Sequence, residues 1–446
     1  MKVHIIGGGP SGLSLAWILS KTPGYTPIIY DKYSLIGGSW REPSQYTRNS
    51  HSHRIVFKGA YANFSNLLSQ MGLQFNDYFK PTDRNASFRF LAKNIHFYDY
   101  IVISLLYIFT IIYPTQKSVD YALAKLGASQ DCRNVHNTIS YAIDGVPSTL
   151  MTITEYIFAI DKTVLYQPHD QKVSGYNMCK DFETKLLKNN VIINYVTELI
   201  SVDLENGLFT MKNPKGTYII NSLNDIIVLC IDAKPLSKLL HNQIKVPTDG
   251  IYGSLSIMLS FNSLIQFTED DFYNVAHNSE WHLLCSRLPD KKTINVVICD
   301  ELSLSTVTGK TSINTNETEL INEVWRQLSH NVQLPYFSSY QMCWGTKWNS
   351  PLQKWEHIQS SNVITNSGTL EYNIAPNVFT CGMLSKRTTA FASIESAVES
   401  AIILSHKYFP ETEPHMSMKH SFQLSHLIIA IVIIFIVILI YLKTTR

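Results

Sequence analysis

The sequence predicts an α/β fold carrying an interleaved α+β unit and a C-terminal transmembrane helix, on three observations. A glycine-rich turn near the N-terminus joins a short apolar strand to a helix. Continuous apolar runs of strand length return at Val191–Val196 and Asp225–Cys230, as fully buried parallel strands require. A sixteen-residue run without a charge, Leu427 to Leu442, stands four residues from the C-terminus.

The first element is the strand Val3-His-Ile-Ile6. Gly7-Gly-Gly9-Pro10-Ser11-Gly12 follows it, then a helix over Leu13–Ser20, then a second strand, Pro27–Tyr30, ending in Asp31. This is GxGxxG between a strand and a helix, with an acid nineteen residues beyond the last glycine. Gly7 makes the tight turn, Gly9 lets the backbone approach a pyrophosphate, and Gly12 lets helix and strand pack closely. The helix N-terminus offers free N–H groups and a positive dipole end to phosphates. Asp31 can accept from both hydroxyls of an adenosine ribose. The pattern is that of a Rossmann-like dinucleotide-binding domain.

Gly37-Gly38-Ser39-Trp40-Arg41 follows Asp31 after five intervening residues. A nicotinamide enzyme has no use for a second glycine pair there. The acid–x5–Gly-Gly arrangement resembles the second FAD motif of the amine oxidase and phytoene desaturase superfamily and of flavin-containing monooxygenases. Three later stretches are similar to that superfamily. His53–Leu73 resembles the segment after the glycine pair. Asn177–Leu204 reads as a helix and then a strand, and the resemblance implies that Val196 gives its backbone to the adenine. Asp225–Leu240 resembles the strand that returns to the dinucleotide sheet. Near the C-terminus, Gly382, Met383 and the helix opening Ile394-Glu395 resemble the loop and helix that meet the ribityl chain and flavin ring. There the family carries an aspartate where this chain has Met383, and glycines where it has Ser396 and Ala401.

The resemblance implies noncovalent FAD, because the family's covalent-attachment cysteine wording is missing around Cys343 and Cys381. It implies two interleaved domains. Residues 1–80, 177–250 and 365–410 build the FAD-binding domain; 81–176 and 251–364 build a substrate domain with a mixed sheet and helices. Residues 411–426 then form a linker and 427–442 the transmembrane helix. An oxidase acting on an amine is the first functional expectation, with Tyr340, Trp344, Trp348 and Trp355 as aromatic walls or, alternatively, ordinary core. A desaturase or isomerase acting on a lipid-soluble substrate, and a catalytically degenerate FAD-binding membrane protein, are the alternatives.

Composition narrows the partners. With 446 residues, 45% apolar and 16% charged, the chain can bury two ordinary cores. A net charge of +2, with no strongly basic run, gives no reason to expect nucleic acid. The seven cysteines are odd in number and none lie at CxxC spacing, so they read as reduced, mostly buried thiols. Leu427–Leu442 is apolar on every side and spans roughly 24 Å as a helix, close to a ~30 Å bilayer core once flanking residues are added. So few residues follow it that insertion comes after synthesis, which leaves the bulk of the chain cytosolic. A second apolar stretch, Tyr100–Tyr113, is too short for a span. A buried helix is expected there, with a helix dipping into the bilayer beside the anchor as the alternative.

Overall fold

The computed structural model describes residues 1–41, 55–83, 85–241, 243–247, 251–288, 290–342, 345–357, 362–363, 368–389, 391–429 and 434. A six-stranded sheet organises the N-terminal domain, in the order Asn373–Ala375, Val378–Thr380, Ile226–Leu229, Lys2–Ile6, Thr26–Tyr30, Ile192–Asn194. All pairings are parallel except the hairpin between the first two.

Successive side chains of a strand point to opposite faces. Val3, Ile5, Ile29 and Val228 therefore enter one core, with Leu13 and Trp17 of the helix Pro10–Ser20 and Val398 and Ile402 of the helix Ile394–Tyr408. Ile6, Ile28, Tyr30, Ile227 and Leu229 enter the other, against Phe209 and Met211. Those two residues belong to an antiparallel meander, Glu198–Asp203, Leu208–Asn213 and Gly216–Asn221, that covers this second face. Both faces are thus apolar and covered, which is why these strands read as unbroken hydrophobic runs.

The second unit holds an antiparallel sheet in the order Leu283–Arg287, Thr293–Ile298, Leu255–Ser260, Ser339–Met342, where a mixed sheet was expected. Helices Glu269–Asn278 and Glu317–Asn331 pack on it around the fully buried Trp281. Helices from Ala86–Asn94 to Ile153–Thr163 complete the unit. A small sheet joins the two units: Pro168–Gln171 pairs with both Ile55–Phe57 and Phe79–Pro81. The boundary expected at residue 80 runs through the last of these strands.

Two expectations about membrane and linker segments are corrected. Tyr100–Tyr113 lies in a helix, Phe97–Ile112, that is buried on one side only; Val102, Leu106, Tyr107 and Thr110 face inward while Phe97, Ile101, Leu105, Ile108, Phe109 and Ile112 are exposed. The polar segment 411–426 is no loose linker. Thr412 and Met416 are buried, Lys419 exchanges hydrogen bonds with the Asn63 side chain, and Ser425 bonds to Asp161. Specific backbone hydrogen bonds, invisible in the composition, dock it on the body.

Among the described residues no single helix is long and apolar enough to cross a membrane. Of the expected span, 427–429 continue a helix that begins at residue 424, and nearly all the rest lies outside the described residues.

Candidate functional site

The strand Lys2–Ile6 ends in a turn whose parts are locked to one another. Gly7 donates its N–H to the Tyr30 carbonyl at 2.8 Å, and Gly8 donates to Asp31 Oδ2 at 3.0 Å. Gly9 is the N-cap and Pro10 opens the helix. A Cβ at Gly12 would lie 2.1 Å from the Gly7 carbonyl oxygen, so helix and turn can meet only without one. Gly37 donates to the Gly8 carbonyl at 2.6 Å. That bond folds the second glycine pair onto the first. Gly38 has φ +57°, and a Cβ there would stand 2.9 Å from Gly9 Cα. The result is a floor of bare backbone at a helix N-terminus, suited to a pyrophosphate.

This floor is one wall of a cavity of about 1000 Å³. Gly7, Gly9, Pro10, Ser11, Asp31, Gly38, Ser39 and Trp40 line it, and so do Gly382, Met383 and Ile394 from the other end of the chain. Gly12 and Gly37 stand behind the wall as packing and hydrogen-bonding supports. Ser393 caps the helix Ile394–Tyr408, whose N-terminus opens on the cavity through Ser393, Ile394 and Ala397. Gly382 is held by its N–H to Ser400 Oγ at 2.7 Å. Met383 leans on the apolar cluster below the sheet and presents a thioether, not a carboxylate.

Val196 does not stand where the resemblance put it. It is 46% exposed at φ +49°, and its N–H is taken by the Tyr33 carbonyl at 3.0 Å. The chain turns there, so Thr197, Glu198 and Leu199 reach the cavity instead. Of the aromatic residues weighed as walls or ordinary core, Trp348 and Trp355 are core. Trp355 is buried in the second unit's core with Trp348 edge-on at 5.5 Å, Tyr340 lies on its surface strand, and Trp344 lies outside the described residues. The aromatic lining comes from elsewhere: Tyr61, Tyr166, Phe272, Tyr273 and Phe391.

Charged side chains line the cavity, some exposed, such as Lys32, Glu198 and Lys234, and others buried, such as Asp31, Arg41 and Asp144. Asp31 holds the two turns together, accepting also from the Tyr33 N–H at 2.9 Å, with Arg41 3.6 Å away. Burial raises its carboxyl above the usual range, against the pull of those partners. Arg41 stacks on Tyr33, 3.7 Å from the ring centroid. Burial also pushes Asp232, beside the glycine turn, up to about 6.

Asp144 closes the helix Gln130–Asp144 and is among the residues that line the cavity; its Oδ2 is buried and, among the described residues, makes no hydrogen bond. Glu155 is buried behind it, and Arg387 faces both, donating to the Met383 and Phe391 carbonyls at 3.0 Å. Burial holds both carboxyls well above the ordinary carboxylate range, and Arg387 only partly offsets this. Glu395 is fully buried and accepts from the Asn63 and Phe64 N–H groups at 3.1 and 2.9 Å, with Lys162 3.7 Å away. It therefore caps the helix Ala62–Gln70 and pins it to the last helix.

Asp144, Arg387 and Leu199 belong to no local motif. A charged residue just ahead of Gly145 at the end of an amphipathic helix was the only trace Asp144 left in the sequence, and it reads equally as a helix terminus.

The family model for an NAD(P)-binding Rossmann-like domain matches residues 5–70. Comparison with curated proteins returns no match. Among solved structures, an oxidoreductase from Methanosarcina mazei superposes with a TM-score of 0.61 at 12% identity, covering 91% of this chain and 100% of that one. Putrescine oxidase bound to putrescine gives 0.60 at 10% identity, covering 92% and 99%. Cyclohexylamine oxidase from Brevibacterium oxydans IH-35A gives 0.56 at 12%, covering 93% and 99%. The chain thus shares its fold with these oxidoreductases over nearly its whole length.

Proposed function

We propose that the protein is an FAD-dependent oxidoreductase of the amine-oxidase type, holding FAD noncovalently and held on a membrane by residues 427–442. The observation that carries the reading is the closure of the second glycine pair on the first, with Asp31 between them, along one wall of a single long cavity. The residues fit the cofactor. Bare backbone at Gly9 and Gly38 suits the pyrophosphate, Asp31 the adenosine ribose, and the N-terminus of the helix Ile394–Tyr408 the electron-rich end of the ring. Met383 leaves the ribityl chain one acceptor short, a loss of about 1 kcal/mol.

Bound FAD supplies the redox chemistry by accepting a hydride equivalent from the substrate. The chain's own residues position that substrate. Tyr61, Phe391 and Tyr166 exclude water with apolar surface, and Asp144 places one carboxyl on the wall that can pair with a cationic amine or take up its proton. Titratable groups shifted by burial inside a cleft are the usual mark of such a role. The substrate is therefore a small amine. A second reading, a desaturase or isomerase acting on a lipid-soluble compound, is favoured by the exposed apolar helix Phe97–Ile112, which follows the cavity-lining helix Ala86–Asn94 after two residues.

The absorption spectrum of the purified full-length protein tests the cofactor. A yellow protein that releases FAD on heat or acid supports the proposal; a colourless one that takes up no FAD overturns it. Hydrogen peroxide formed with amines separates the first reading from the second, in which turnover needs a detergent-solubilised lipid and an artificial acceptor.

A further inference from the structure

The helix Phe97–Ile112 carries two apolar stripes. One is buried: Leu106 and Tyr107 pack with Val119, Leu123 and Ile157, and Val102 is also turned inward. The other faces outward and is just as apolar: Phe97 is 83% exposed, Ile112 58%, Phe109 52% and Ile101 48%. A helix on the surface of a water-soluble body turns polar residues outward, and this one does not.

Its polar atoms are disposed as lipid contact requires. Asp99, the helix's one charged residue, is turned inward and accepts from the Ser129 N–H at 2.8 Å and its hydroxyl at 2.7 Å. The Ser104 hydroxyl, on the outer face, donates back to the Tyr100 carbonyl at 2.8 Å and leaves no unsatisfied donor. Exposed tyrosines stand at the two ends, Tyr98 and Tyr100 at one and Tyr113 at the other. Rings with a polar tip favour the bilayer–water boundary.

The start of the apolar C-terminal run packs against the inner stripe of the same helix, which brings it beside this element. Leu424 and Ile428 pack on the same cluster as Leu106 and Tyr107. Asp161 ties the two segments together, accepting from the Tyr107 hydroxyl at 2.6 Å and from the Ser425 N–H and hydroxyl at 2.6 and 2.8 Å. The preceding helix, Ala86–Asn94, meets Phe97–Ile112 at 119°, so the pair makes a sharp corner and not one continuous span.

We infer that the outer face of Phe97–Ile112 lies in the interfacial layer of a lipid bilayer, parallel to its plane, as a second membrane contact beside the C-terminal anchor. The inference rests on the anchor reading given above, because that anchor is what brings this face to the lipid. A helix with one buried apolar face and one lipid-facing face needs no length to span, which is why sixteen residues suffice.

The test uses the full chain in phosphatidylcholine vesicles. A single environment-sensitive thiol dye is placed by Ile101→Cys or Ile108→Cys in a Cys343→Ser background, the other six cysteines being buried and out of reach. Leu223→Cys, exposed in the turn that follows the meander, is the aqueous control. The dyes at 101 and 108 should emit at shorter wavelength in vesicles and lose most of their intensity to nitroxide-bearing phosphatidylcholine, while the dye at 223 responds only to aqueous iodide. Vesicle-bound protein whose dyes at 101 and 108 stay open to iodide overturns the in-plane helix and leaves the anchor standing. Dyes shielded from both quenchers show that protein, either the chain's own tail or a second copy, covers the face, and this also overturns the inference. Full-length protein that does not float with the vesicles at all refutes the anchor reading itself.

Discussion

Gly9 and Gly12 differ in what they make room for, and substitution should separate them. A Cβ at Gly12 strikes the Gly7 carbonyl at 2.1 Å, whereas one at Gly9, in extended backbone, has only an ordinary contact 3.7 Å away. Gly12→Ala should therefore lower the melting temperature of the FAD-free protein. Gly9→Val should leave it close to that of the parent and abolish FAD uptake, since its methyls enter the phosphate floor. Equal flavin content in Gly9→Val and parent would contradict the assignment of this floor. Asp144 makes a second residue-scale prediction. If its carboxylate meets a cationic amine in the cavity, Asp144→Asn should reduce kcat/KM for amines by about 10- to 100-fold, the worth of one charge-assisted hydrogen bond, and should shift the acid limb of the pH profile. An unchanged profile removes Asp144 from the site.

At the scale of elements, buried carboxylates do structural work with opposite signs. Glu395 satisfies the first N–H groups of the helix Ala62–Gln70 and faces Lys162. Glu395→Ala strands all of them in the interior and should cost about 3–5 kcal/mol, read as a lower urea midpoint. Glu155 is a liability. Among the described residues its two carboxyl oxygens find no hydrogen bond, and burial, with repulsion from Asp144, holds the folded carboxyl well above the ordinary range despite Arg387. The folded chain then keeps a proton that the unfolded chain has released, so stability falls as the pH rises from the ordinary carboxylate value through the folded one. Denaturation midpoints of the parent should decline between about pH 5 and pH 9, and Glu155→Gln should flatten that decline. Parallel slopes for the two proteins would show that Glu155 ionises normally.

At the scale of the molecule, the C-terminal segment has two parts with different dependence on the body. Residues 411–426 are docked through Met416, the Asn63–Lys419 pair and the Ser425–Asp161 pair, and Tyr166 donates to the Phe422 carbonyl. Truncation after residue 415 should lower the melting temperature measurably, because it removes these contacts and uncovers the Asp161 carboxylate. Truncation after residue 429 keeps them all and should melt with the parent while losing the anchor. If the two truncations melt alike, the docked segment contributes nothing to the fold.

The Rossmann-like start of the chain was legible because its constraints are local. A turn that must bring backbone to a phosphate needs Gly7, Gly9 and Gly12 at fixed spacing, and buried parallel strands need continuous apolar runs, so the sequence alone determined the dinucleotide fold, the Asp31 position and the second glycine pair. Val196 turns out of the cavity while Thr197, Glu198 and Leu199 line it, because the strand restarts after a turn that leaves no mark in composition. Asp144, Glu155 and Arg387 lie hundreds of residues apart in part and meet only when the second unit closes on the first. The outer face of Phe97–Ile112 was hidden for the opposite reason: its sequence is apolar all round, and hydrophobicity alone cannot tell a buried stripe from a lipid-facing one. Only packing decides which side of such a helix the protein itself covers.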